Sequence, residues 1–316
     1  MVITVRGLKN GMASAASVTA LLSAMTATVK SKKTFAMQLT EYGEPSVIDY
    51  LEGKQLKAEE LNLGFNVWRD EGIDAITVRT ETADLTKEHF DQTVTAISEK
   101  ENLFDVLKPT LKKEFFDFIT EESILNIIDG AKNFYDYIFI LLPENKDIID
   151  IVEKRAEQNI IVIPQGPRVE IENIPKFVTY IVNDFEKDSI YTVRDIAKDY
   201  GVKKVYTLPH NYQYRDALIQ KTLLDFVLKN KKDIKADVNY EFTQSVMQLL
   251  SKYIAGVDDE DDEEEVEKAE KTTEKVREVK QSLIPDDIDD IPDDAIQEIV
   301  VKKGLFTKKK RLTADL

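Results

Sequence analysis

Ten residues near the amino end have the composition and setting of an anion-binding loop. Gly7-Leu8-Lys9-Asn10-Gly11-Met12-Ala13-Ser14-Ala15-Ala16 follows the run Met1-Val2-Ile3-Thr4-Val5 and leads into a long Ala/Ser/Thr/Leu segment. Strand, glycine-containing loop and helix, in that order, point backbone N–H groups and the positive helix end at a phosphate. A working loop needs Gly-x-x-x-x-Gly-Lys followed by Ser or Thr. The glycines allow close approach, the lysine meets the outer phosphates and the hydroxyl holds magnesium. This loop fails that pattern.

Other residue types close off other chemistry. The chain has no cysteine, which excludes disulfides, thiolate metal sites and cysteine nucleophiles and fits a reducing cytosol. Its two histidines, His89 and His210, are far apart in sequence and do not suggest a histidine metal cluster. Nothing in the sequence pairs either with a carboxylate at catalytic spacing, so both read as surface or helix residues. Trp68 and the apolar helix faces read as core.

The elements that must position such a loop follow from hydrophobic patterning. Val2–Val5, Thr34–Leu39, Ala75–Val78, Leu103–Leu107, Tyr137–Leu142, Ile160–Ile163 and Lys204–Leu208 read as strands, most without polar alternation and so covered on both faces. Helical patterns cover Ala13–Val29, Thr86–Ser98, Glu121–Asn133, Lys146–Glu157, Asn173–Asp184, Arg215–Leu228 and Tyr240–Ile254. The alternation predicts a three-layer α/β/α domain with a predominantly parallel sheet.

The 316 residues carry 43 basic and 59 acidic side chains, a net charge of −16. Such a balance disfavours chain-wide affinity for nucleic acid or anionic lipid. Residues 257–316 hold 20 acidic and 11 basic side chains, a net of −9. The run Asp258-Asp259-Glu260-Asp261-Asp262-Glu263-Glu264-Glu265 repels itself and has nothing apolar to offset the repulsion. We therefore expect a domain over residues 1–256 and an acidic disordered tail over 257–316. Within that tail, Ile284, Ile288 and Ile291 could anchor in a partner's groove. Leu305 and Phe306, between basic clusters, could touch anionic lipid or an acidic partner, or the basic end could fold back on the acidic run. No stretch has the length of a membrane-spanning helix, and the Ser/Thr-interrupted 13–22 segment does not read as a secretory signal; a cytoplasmic location is expected.

The order of these segments resembles the ParA/MinD family of deviant-Walker ATPases, with similarity closest to the TadZ/CpaE-like proteins of Tad pilus assembly. Against that family's Lys-Gly-Gly-x-Gly-Lys-Thr loop, Lys9 matches the signature lysine, and Asn10 and Gly11 fall on the two glycines. Ala13 replaces the third glycine, Ser14 the phosphate lysine and Ala15 the magnesium-binding hydroxyl. Gln38 and Thr40 stand for the two aspartates of the second strand, and Leu141 for the Walker B aspartate in Tyr135-Asp136-Tyr137-Ile138-Phe139-Ile140-Leu141-Leu142-Pro143. Leu208-Pro209-His210-Asn211 is similar to the loop that lines the adenine pocket. The helices with Arg215-Asp216-Ala217 and Leu223-Leu224-Asp225-Phe226 are similar to the TadZ/CpaE carboxyl-terminal helices.

The resemblance implies a P-loop NTPase-like fold whose nucleotide site is degenerate. Its remaining contacts would be Lys9, Gly11, Ser14, Gln38 and Asn211. From the residues alone, Lys9 reads as a solvated lysine, Gln38 as a loop cap and Asn211 as a turn residue. Losing the lysine, the magnesium ligands and the water-orienting carboxylate together would abolish useful ATP hydrolysis, since one such electrostatic contact is worth roughly two to three orders of magnitude. The expected role is a non-catalytic scaffold or positioning factor for a Tad-type pilus or similar envelope machine. Its partners would be a secretion ATPase or inner-membrane pilus proteins, which could recruit it to the membrane or cell pole; a homodimer also fits. No cofactor is expected on that reading. One alternative is an ATPase that binds ATP and magnesium through an altered loop using Lys9. The other is a plasmid or chromosome partition protein.

Overall fold

The computed structural model describes residues 1–8, 12–40, 43–51, 71–81, 84–97, 103–110, 119–175, 177–231 and 237–255, without the side chains of 12–13 and 252–255. The strands are β1 (Val2–Gly7), β2 (Thr34–Gln38), β3 (Thr95–Ala96), β4 (Phe104–Val106), β5 (Tyr137–Leu141), β6 (Gln158–Ile163), β7 (Val178–Phe185) and β8 (Tyr206–Pro209). They form one sheet in the order β3-β4-β2-β5-β1-β6-β7-β8. Every pairing is parallel except that of β3, a two-residue antiparallel edge on β4.

Helices cover both faces. On one lie α1 (Met12–Val29), α7 (Tyr212–Ile219), α8 (Leu223–Asn230) and α9 (Tyr240–Ala255), packed on Ile3, Val5, Phe139, Leu141, Val162 and Leu208. On the other lie α2 (Gly72–Thr80), α3 (Lys87–Thr93), α4 (Glu121–Lys132) and α5 (Lys146–Glu153), packed on Val2, Phe35, Met37 and Ile140. There α6 (Val193–Tyr200) covers Ile161, Ile163, Tyr180 and Val182. This is the expected three-layer α/β/α fold.

Helix α1 is buried along almost its whole length, including its hydroxyls. Those hydroxyls are satisfied within the helix: Thr19, Ser23 and Thr26 each donate at 2.7 Å to the carbonyl four residues earlier. A helix rich in Ser and Thr is thereby accommodated in the middle of the domain.

Four sequence expectations are corrected. Ala75–Val78 belongs to α2, not a strand: Ile73, Ile76 and Thr77 are buried and Val78 is exposed, a helical period. The helix expected over Thr86–Ser98 stops at Thr93, and Thr95–Ala96 turns into β3. Asn173–Asp184 is not helical; its second half is β7, with Tyr180 and Val182 on one face and Ile181 on the other. The single helix over Arg215–Leu228 is two, broken where Lys221 takes a left-handed φ of 58°. Helix α6 was not foreseen, although Thr192 and Asp195 form a capping box and Gly201 ends it at φ 66°.

Candidate functional site

The sheet order makes the carboxyl end of β1 a switch point. From β1 the chain crosses to β2 on one side, and after β5 it jumps to β6 on the other. In open parallel sheets, ligands bind in the crevice outside the strand ends at such a point. Register brings Val5 beside Leu141 and Leu141 beside Gln38, so the carboxyl ends of β1, β5 and β2 stand in a row.

What this row offers is largely spent internally. Gln38 is buried; its Nε2 donates to Thr40 Oγ1 at 2.7 Å, and its Oε1 accepts from the Val47 N–H at 2.8 Å. The side chain thus closes the loop after β2 onto itself. Leu141 and Ala15 are fully buried in the same apolar cluster as Val5 and Leu21. Ser14, in the first turn of α1, accepts at 2.9 Å from Asn183 Nδ2 of β7, while its carbonyl accepts from Ser17 Oγ at 2.9 Å.

Asn211 caps α7: its Oδ1 accepts from the Tyr214 N–H at 2.8 Å. Its Nδ2 donates at 2.9 Å to Asn239, which in turn donates to Gln213 and Asn230 at 2.7 and 2.9 Å. This chain of amides ties the start of α7, the end of α8 and the start of α9 together. Lys9 and Gly11, Trp68, and Ile284, Ile288, Ile291, Leu305 and Phe306 lie outside the described residues. The structure therefore sets Gln38 beside Leu141 and links Ser14 to β7, whereas Asn211 belongs to the helix-capping network.

One expectation about histidine is corrected here. His210 Nδ1 meets Asp184 Oδ1 at 2.6 Å, with Glu186 Oε1 at 3.5 Å and Arg215 3.6 Å from the other oxygen of Asp184. Asp184 has a left-handed φ of 60° beside an irregularity in the β7–β8 register, which turns its carboxylate toward the start of α7. The helical pattern over 173–184 gives no sign of this pairing, which depends on Asp184 lying in β7. His89, by contrast, is a helix residue as expected: its Nδ1 accepts from the Thr86 N–H in the α3 capping box.

A second group was also missed. Arg6, next to last in β1, pairs through Nε with Glu153 Oε1 at 2.9 Å, both side chains being more than nine-tenths buried. A lone arginine at a strand end gives no sequence signal for a partner 147 positions away. Among the described residues no group of three or more His, Asp or Glu is placed to hold a metal ion, and no helix is long and apolar enough to cross a membrane.

No family model matches the sequence, and no curated protein matches it. Solved structures do match in shape. A ParA family ATPase from Chlorobium tepidum superposes with a TM-score of 0.60 at 16% identity, over 79% of this chain and 98% of that one. The septum site-determining protein MinD of Pyrococcus horikoshii, complexed with Mg-ADP, gives 0.52 at 14% identity, over 80% and 96%. A putative plasmid partition protein from Borrelia burgdorferi, bound to AMPPNP, gives 0.51 at 16%, over 80% and 99%. The chain has the P-loop NTPase-like α/β fold of the ParA and MinD ATPases.

Proposed function

We propose that the protein is a non-catalytic ParA/MinD-like scaffold, one that has the shape of a nucleotide switch and does not hydrolyse ATP. The observation that carries this reading is the row at the ends of β1, β5 and β2. Phosphoryl transfer needs positive charge on the phosphates, a held magnesium ion and a carboxylate that orients water. At the matching positions Ala15 and Leu141 are packed in apolar core, Ser14 is neutral and bonded to Asn183, and both ends of the Gln38 amide are engaged within the domain. By resemblance, the assembly it serves is a Tad-type pilus or related envelope machine, with a secretion ATPase or inner-membrane proteins as partners.

A nucleotide-binding role is the second reading. Two proteins of this fold carry Mg-ADP and AMPPNP, and Lys9 could supply charge where Ser14 does not. A partition role fits the fold equally but calls for a basic surface, and the chain's charge of −16 does not favour one. The test is ATP turnover by the purified chain and by Lys9→Ala, beside a DNA mobility shift at low and high salt. The scaffold reading expects turnover at background for both proteins and no shift. Turnover abolished by Lys9→Ala would overturn it in favour of an ATPase, and a salt-sensitive shift in favour of a partition protein.

A further inference from the structure

We draw no further inference here: the strongest candidate, the surface patch of exposed Tyr212, Ile219, Leu228 and Val238 at the carboxyl-terminal helices α7, α8 and α9, carries none because nothing in the structure shows what covers it.

Discussion

At the residue scale the question is whether a polar side chain serves a ligand or the protein. Gln38 stands where a reacting phosphate's partner would be, yet it bridges Thr40 and Val47. Removing it should leave the Val47 N–H unpaired and cost about 1–3 kcal/mol. We therefore expect Gln38→Ala to lower the midpoint of denaturant unfolding; a side chain that only faced a ligand would leave it unchanged. Glu153 gives a second prediction. Its pKa is raised in the folded state, so its stabilising contribution is full below about 4.5 and is lost as pH rises toward about 7. Glu153→Gln should flatten that part of the stability profile, because its amide does not titrate. Unfolding midpoints for both proteins at pH 5 and pH 8 check the sign. The Asp184–His210 pair shows how an element error hides a residue contact, since a helix ending at residue 184 gives no reason to set it beside the residue after β8, whereas a strand there does.

At the scale of elements, the carboxyl-terminal helices are tied by side-chain amides. Asn239 serves three partners from three directions. Its replacement by Ala should cost about 2–3 kcal/mol, whereas Asn211→Ala, which mainly loses a helix cap, should cost about 1 kcal/mol. Thermal unfolding of the two variants tests that ranking. Gly72 and Gly201 make another contrast. Both have positive φ, but a Cβ at Gly72 would meet the Lys108 carbonyl oxygen at 3.0 Å, while one at Gly201 would meet open space. Gly201→Ala should cost only the left-handed backbone penalty of roughly 1 kcal/mol, and Gly72→Ala more. The strands buried on both faces were legible because residues 35–37, 137–141 and 160–163 are continuous apolar runs and β1 is interrupted only by Thr4 before Arg6. Residues 173–184 misled for a physical reason. Ile174, Phe177, Val178 and Ile181 have helical spacing, but Ile174 and Phe177 are exposed, so the period records no buried face. In Ala75–Val78, conversely, a short apolar run hid a helix whose Val78 faces water.

For the domain as a whole, the strand order and the helix layers are those of the ParA and MinD fold, while Ala15, Gln38 and Leu141 beside the switch point are buried. The order of segments along the chain was enough to anticipate the fold, because sheet topology follows from which apolar runs alternate with helices. The internal engagement of Ser14 and Gln38 was not legible, since it depends on β7 and on the loop after β2 folding back. The account turns on whether this fold still takes up nucleotide. Calorimetric titration of the full chain with ATP and with ADP, each with magnesium at near-physiological salt, decides it. The account predicts no heat of binding and no thermal stabilisation. Micromolar binding that is lost in Lys9→Ala would contradict it and would mean that the loop has been rebuilt around that lysine.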